Sequence, residues 1–227
     1  MTIRTEPGDP FGGPRILFLG DSFVQGLGDP EFRGWVGRAL QAAAQDATGF
    51  NLGVRRDTSA QVRQRCWTEV EARTRPGADH RLVLSFGAND AMEEDGGPRV
   101  RPADTLANLT ALLTGARARG VAALVVGPPP VVAGGAAHLA RLTALAPELA
   151  GVCARFRVPF VDVTGALAAD PVWTAEAEAA DGAHPGAGGY ARLARLVLDG
   201  GFGDWLRRPG DGAGSGNFPA HLIVHQD

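Results

Sequence analysis

The chain has 227 residues, of which 44% are hydrophobic and 21% charged, and its formal net charge is −3. This length and composition are typical of one sizeable globular domain with a large core. The slight acidity argues against a surface built to bind nucleic acid or anionic membranes. All 22 basic residues are arginines, which excludes a lysine nucleophile or a Schiff base.

Nothing along the chain suggests export or membrane insertion. Residues 1–13 lack the apolar stretch of a signal peptide, and no segment approaches the roughly 18 apolar residues of a membrane span. Cys66 and Cys153 lie in apolar segments of helical pattern, so we expect two buried free thiols rather than a disulfide. We therefore expect a cytoplasmic protein.

Five short apolar runs alternate with helical patterns. Continuous apolar runs of this length predict strands that are buried on both faces of a parallel sheet. The predicted strands are residues 16–19, 50–54, 82–86, 122–126 and 159–163, and the predicted helices are residues 33–45, 59–73, 105–119, 139–156 and 187–198. This alternation predicts an α/β fold of three α/β/α layers around a five-stranded parallel sheet, in the flavodoxin-like order 2-1-3-4-5.

The two ends of the chain lie outside the alternating strands and helices and differ in composition from the middle. We predict one domain over residues 14–208, preceded by an extension of residues 1–13 and followed by a glycine-rich tail of residues 209–227. His221 and His225 in the tail have a spacing that suits a metal ion on a helix. Ile223 and Val224 between them are β-branched, however, and no cysteine or carboxylate cluster is near, so we expect no metal site.

A polar turn, Gly20-Asp21-Ser22, follows the first predicted strand. Open parallel sheets bind their ligands at the carboxyl ends of their strands. If a helix begins just after Ser22, its free N–H groups and its dipole favour a developing negative charge. The serine then occupies a suitable place for a nucleophile, although the same residues are also typical of a plain strand end with a helix cap.

A second polar turn, formed with Gly182 and Pro185, precedes the last predicted helix and holds Asp181 and His184. An acid three residues before a histidine can accept a hydrogen bond from its Nδ1–H, which leaves Nε2 free to act as a base on a serine hydroxyl. The alternative is that Asp181 caps the helix and that His184 is a surface residue.

Two further segments follow the second and third predicted strands. Asn89 lies just past the third strand, where its amide can donate to a developing oxyanion. Gly53 lies at the end of the second strand, where the absence of a side chain lets a backbone N–H approach the same oxyanion. Each residue is also common in an ordinary turn.

Taken together, these segments resemble the SGNH hydrolases, also called the GDSL esterase/lipase family. The resemblance covers residues 15–198. It rests on four blocks in chain order, namely Gly20-Asp21-Ser22, Gly53, Gly87-x-Asn89-Asp90 and Asp181-x-x-His184.

The resemblance implies a role for each residue of the site. Ser22 is expected to be the nucleophile, His184 the general base and acid, and Asp181 the carboxylate that orients His184. The expected oxyanion hole consists of the Ser22 N–H, the Gly53 N–H and the Asn89 side chain.

Three neighbouring residues complete the expected site. Asp21 and Asp90 are expected to organise their loops by hydrogen-bonding backbone N–H groups. Phe23 replaces the leucine that is usual after the serine, and we expect it to pack under the loop.

The resemblance also implies an activity. It predicts a serine hydrolase that cleaves carboxylic esters through an acyl-enzyme intermediate, without a metal ion or an organic cofactor. Because no long apolar lid segment is apparent, we expect a small-molecule ester with a small acyl group.

Three alternatives stay open at this point. A thioesterase or lysophospholipase would use the same residues. A flavodoxin-like nucleotide- or flavin-binding module would share the sheet order, but Asp21 places a carboxylate where such a module binds phosphate. A non-catalytic carbohydrate-binding relative would share the fold, but the presence of Ser22, Asn89, Asp181 and His184 argues against it.

Overall fold

The computed structural model describes residues 13–43 and 46–208. Its strands are β1 (Arg15–Gly20), β2 (Thr48–Gly53), β3 (His80–Ser85), β4 (Glu93–Glu94), β5 (Gly97–Pro98), β6 (Ala122–Val126) and β7 (Phe160–Val161). Its α-helices are α1 (Ser22–Gln25), α2 (Gly34–Ala43), α3 (Ser59–Glu71), α4 (Pro102–Ala118), α5 (Gly135–Phe156), α6 (Thr164–Ala168), α7 (Pro171–Ala179), α8 (Ala187–Asp199) and α9 (Phe202–Arg207), with a short 3-10 helix at Val132–Gly134.

Five strands form one parallel sheet in the order β2-β1-β3-β6-β7, and β4 and β5 form a separate two-residue hairpin. The five principal strands therefore have the predicted order 2-1-3-4-5, which confirms the predicted fold class. Gly20 at the end of β1 is in register with Gly53 of β2 and with Ser85 of β3. Because these strand ends are level, the residues that follow them meet at one edge of the sheet.

The sheet is covered by helices on both faces because its central strands are apolar on both sides. In β1, Ile16 and Phe18 face a core cluster that includes side chains of α2, α7, α8 and α9, whereas Leu17 and Leu19 face a cluster that includes α3, α4 and α5. All four of these side chains are fully buried. The strand thus contributes to two cores at once, which explains why its sequence is continuously apolar rather than alternating.

The segment of residues 170–180, which lies outside the predicted strands and helices, contains helix α7. Asp170 caps this helix by accepting hydrogen bonds from the N–H groups of Val172 and Trp173, at 2.8 and 3.1 Å, and Pro171 occupies the first helical position. Trp173 is fully buried. This helix is missing from the predicted elements, although the cap and the proline are visible in the sequence.

Other features concern the thiols and the boundaries. Cys66 and Cys153 are free and buried, as expected, and burial raises the pKa of each thiol to about 12. No helix within the described parts of the chain is long and apolar enough to cross a membrane. The proposed extension of residues 1–13 lies almost wholly, and the tail of residues 209–227 with its two histidines entirely, outside the described residues.

Candidate active site

Ser22 is the first residue of helix α1, directly after the end of β1. The cap of this helix is Asp21, whose carboxylate accepts a hydrogen bond of 2.9 Å from the N–H of Phe23. The helix ends after one turn, at Gly26 with φ +81°. Since Asp21 does the capping, the Ser22 hydroxyl is free for another partner, and the Ser22 N–H lies in the first turn, where no intrahelical acceptor exists.

The partner of the Ser22 hydroxyl is His184. The imidazole Nε2 lies 2.8 Å from Ser22 Oγ, and Nδ1 lies 2.7 Å from Asp181 Oδ2. Because the Asp181 carboxylate accepts, Nδ1 carries the proton and Nε2 offers its lone pair to the hydroxyl. Both Ser22 and His184 are buried, so the alternative of a surface histidine does not hold.

Asp181 also shapes the turn that carries His184. Its Oδ1 accepts hydrogen bonds from the N–H groups of Ala183 and His184, at 3.0 and 2.9 Å. Partial burial favours the protonated carboxyl, but these two bonds and the bond from the imidazole outweigh burial and lower the pKa of Asp181 to about 2. The cap of the following helix α8 is Gly186, not Asp181.

Asn89 reaches the same edge of the sheet from the loop after β3. Its Nδ2 donates to the backbone oxygen of Asp57 at 3.0 Å and lies 3.5 Å from Asp21 Oδ2. An amide nitrogen has two hydrogens, and the second meets only this long contact. The Asn89 side chain is therefore beside the Gly20-Asp21-Ser22 turn, with one donor available to a stronger acceptor.

Gly53 lies at the end of β2, and its predicted role is to donate its backbone N–H to the oxyanion. Its N–H already donates to Asn51 Oδ1 at 3.1 Å, and Asn51 Nδ2 donates to Val24 O at 2.7 Å. The absence of a side chain has another use, because a Cβ on Gly53 would lie 2.1 Å from the backbone nitrogen of Gln25. Gly53 thus allows α1 to pack directly on β2, and the role of its N–H as an oxyanion donor stays a prediction.

The two remaining carboxylates of the site are fully buried. Asp90 accepts hydrogen bonds from the Ser59 N–H at 2.9 Å, from the Ser59 hydroxyl, and from the Thr105 hydroxyl at 2.9 Å, and it thereby ties the Asn89 loop to α3 and α4. Burial raises the pKa of Asp21 to about 7, and the nearby Asp90 and Asp57 add to the rise while the Phe23 N–H opposes it.

The imidazole of His184 packs against an aromatic cluster formed by Phe23, Trp173 and Tyr190. The ring of Phe23 lies 5.2 Å from the imidazole of His184 and 5.7 Å from the indole of Trp173, measured between ring centroids. Trp173 contacts Tyr190, whose hydroxyl donates to Leu27 O at 2.7 Å. Phe23 therefore packs under the Gly20-Asp21-Ser22 turn, as expected, and also against His184, the predicted base.

Three residues that support the site were missed by reasoning from the sequence. Arg65 donates to Gly20 O at 2.9 Å and to Asp57 Oδ2 at 2.8 Å. His138 and Arg141 contact the backbone oxygens of the Asn89 loop from α5. Apart from the Arg65–Asp57 pair, these contacts join residues at least 45 positions apart, so no local pattern marks them.

The sheet order and the Asp181–His184–Ser22 hydrogen-bond chain define a three-layer α/β/α protein with a serine–histidine–acid arrangement at the carboxyl edge of its sheet. A sequence model of the GDSL-like lipase/acylhydrolase family matches residues 18–192. The chain belongs to this family, which confirms the resemblance drawn from its motifs. No curated protein matches the chain by sequence.

Solved structures share the fold at low sequence identity. Axe2, an acetylxylan esterase from Geobacillus stearothermophilus, is 19% identical over 88% of this chain and 100% of its own, with a TM-score of 0.68. A lipase/acylhydrolase from Enterococcus faecalis is 24% identical over 84% of this chain and 96% of its own, with a TM-score of 0.64. TesA is 23% identical over 82% of this chain and 97% of its own, also with a TM-score of 0.64.

Proposed function

We propose that the protein hydrolyses carboxylic esters of small acyl groups, with Ser22 as the nucleophile. The observation that supports this function best is the unbroken hydrogen-bond chain from Asp181 through His184 to Ser22 Oγ, with bonds of 2.7 and 2.8 Å. A buried hydroxyl whose proton points at an imidazole lone pair is prepared for nucleophilic attack. The family supplies the reaction class, since its members are lipases and acylhydrolases.

The proposed reaction has two halves. Ser22 Oγ attacks the ester carbonyl while His184 Nε2 takes the hydroxyl proton, and the imidazolium that forms is stabilised by the ionised Asp181. The imidazolium then protonates the leaving alcohol, and an acyl-serine remains. In the second half, His184 takes a proton from water, the resulting hydroxide attacks the acyl carbon, and the carboxylic acid leaves as Ser22 recovers its proton.

The negative charge on the carbonyl oxygen requires donors that are already in place. We assign this role to the Ser22 N–H and to the second hydrogen of Asn89 Nδ2. The Gly53 N–H joins them only when Asn51 Oδ1 releases it. We assign Asp21 and Asp90 to the organisation of the loops, because both are buried and accept hydrogen bonds from donors of those loops and of the adjoining helices.

The preference for a small acyl group has two supports. The chain contains no long apolar segment that would form a lid, and one structural neighbour is an acetylxylan esterase. A thioesterase or a lysophospholipase would use the same residues, so the leaving group has to be found by assay.

The function is tested with a series of nitrophenyl esters from acetyl to palmitoyl and with a fluorophosphonate probe. We expect the highest kcat/KM at the acetyl end, loss of turnover in Ser22→Ala, and probe labelling of Ser22. Ser85→Ala is the matched control, because Ser85 is also buried at the end of a central strand and is in register with Gly20. A folded wild-type protein that neither hydrolyses any of these esters nor reacts with the probe would contradict the proposal.

A further inference from the structure

His138 is a buried histidine outside the hydrogen-bond chain of the site. It lies in the first turns of α5, is 1% exposed, and places its Nε2 3.0 Å from the backbone oxygen of Ala88. A carbonyl oxygen can only accept, so Nε2 carries the proton. This carbonyl belongs to the peptide group that joins Ala88 to Asn89. A hydrogen bond to it fixes the orientation of this peptide plane, and therefore the position of the Asn89 backbone.

The next turn of α5 holds the other end of the same loop. Arg141, three residues after His138 and therefore on the same face of the helix, donates from Nε to Ala91 O at 2.7 Å. The two side chains thus bond to the backbone on either side of Asn89 and Asp90, while Asp90 itself accepts hydrogen bonds from α3 and α4. The Asn89 loop is therefore held by three helices.

His138 also contacts the segment that supports the Asp181–His184 turn. Gly134 packs so tightly on the imidazole that a Cβ there would lie 2.7 Å from His138 Cγ and 2.9 Å from Nδ1. The adjacent residue, Ala133, donates its N–H to Gly182 O at 2.7 Å. Through these contacts one imidazole touches both the loop of Asn89 and the segment that braces the turn of the proposed base.

Packing alone does not explain why a histidine occupies this position. Its Nδ1 is buried and has no hydrogen-bond partner among the described residues. A leucine would fill the space without a buried ring nitrogen, but it would leave the Ala88 oxygen without its donor. Burial lowers the pKa of His138, which keeps the ring neutral with a single N–H donor. That donor is what an aliphatic residue would lack.

We propose that His138 is a positioning residue for the oxyanion donor: its Nε2–H holds the Ala88–Asn89 peptide so that the Asn89 amide faces the carbonyl oxygen of the substrate. The inference rests on the proposed ester hydrolysis. It assigns a function to a helix that carries none of the reacting groups.

The test compares three variants of His138 in steady-state ester hydrolysis. His138→Gln keeps an N–H donor at a similar distance from the backbone, whereas His138→Leu keeps the bulk without the donor, and His138→Asn keeps the amide one bond too short. A misplaced donor acts on the transition state more than on substrate binding. We therefore expect His138→Leu and His138→Asn to lower kcat about 10- to 50-fold with KM within about two-fold, and His138→Gln to stay within about three-fold of wild type.

A double-mutant cycle with Asn89→Ala separates this role from a general loss of stability. If His138 acts through Asn89, then His138→Leu should lower kcat less than about two-fold further once the amide is gone. His138→Asn provides the same comparison if the leucine variant does not fold. Circular dichroism and thermal melting of every variant show that the folded protein is being assayed.

Two results would overturn the inference while leaving the proposed function intact. One is an active wild type with unchanged kcat in His138→Leu and His138→Asn. The other is an equal loss of kcat with and without Asn89, which would indicate a purely structural residue. A wild type without Ser22-dependent hydrolysis overturns both proposals.

Discussion

Replacing Asp21 by asparagine should make the protein more stable, and only at high pH. The carboxyl is 1% exposed, and burial is the main reason why its pKa rises from 3.8 to about 7. Between these two pH values the folded protein holds a proton that the unfolded chain has released. Folding stability therefore falls as the pH rises from about 4 through about 7.

The size of this effect follows from the two pKa values. Each pH unit between them corresponds to about 1.4 kcal/mol, so the buried charge of Asp21 costs at most about 4 kcal/mol above pH 7. Asparagine keeps an oxygen that can accept from the Phe23 N–H, but its amide group would meet the donor of Asn89, a contact that costs about 1 kcal/mol. We therefore expect Asp21→Asn to stabilise the protein by about 1–3 kcal/mol at pH 8 and not at pH 4.

Asp29 provides a matched control with the opposite sign. Its carboxylate is buried, a condition that would raise its pKa, but bonds from Arg38 and from the N–H groups of Glu31 and Gly34 outweigh burial and lower the pKa to about 2. Asp29 thus contributes stability above pH 4 that is lost as the pH falls through about 2. Asp29→Asn should destabilise the protein by about 2–3 kcal/mol at both pH 5 and pH 8.

Guanidinium unfolding of wild type and both variants, in steps from pH 4 to pH 8.5, measures these differences. The stability gain of Asp21→Asn should grow with pH, while the loss in Asp29→Asn should stay level. A stability difference between Asp21→Asn and wild type that does not change over this range would refute the conclusion that the buried charge of Asp21 destabilises the fold.

Three further substitutions test other parts of the site. Asp181→Asn should lower kcat about 10³- to 10⁴-fold while the fold is retained, because the amide favours the wrong imidazole tautomer; near-normal ester turnover would contradict the role of this carboxylate. Asp90→Ala should cost about 3–5 kcal/mol in guanidinium unfolding, since three buried donors of α3 and α4 lose their acceptor; a cost below about 1 kcal/mol would show that water replaces it. Gly53→Ala should cost about 2–4 kcal/mol and reduce kcat, because its Cβ must push the backbone nitrogen of Gln25 away from β2; a melting temperature like that of wild type would count against this contact.

The sequence predicted the sheet because its strands carry their own signal. A strand such as β1 is apolar on both faces, so Ile16 to Leu19 indicate a central position in a parallel sheet without knowledge of any partner. The motifs of the site can also be recognised from local sequence. Glycine, acid, serine, asparagine and histidine each follow a strand or precede a helix, and the level strand ends in a parallel sheet bring such positions to one edge.

The secondary elements that were missed are short or depend on packing. Helix α1 has only four residues, which is below the length at which an apolar period can be detected. Helix α7 carries a cap and a proline, but its sequence shows no clear apolar face opposite a polar one. The reason for its packing is seen only in the structure, where Trp173 is buried between Tyr190 of α8 and the ring of Phe23.

The residue types, their order and the strands that carry them were determined by the sequence alone, because these depend on local hydrophobicity and on turn chemistry. Only the tertiary structure decided which N–H groups of the site already have a hydrogen-bond partner within the protein. The Gly53 N–H is occupied because the Asn51 side chain turns back along β2, and the Asn89 loop is held by His138 because α5 packs beside it. Some of these hydrogen bonds join residues that are far apart in the sequence, and others depend on which way a side chain turns on its own strand. Whether such a bond forms depends on differences in distance of a few tenths of an ångström.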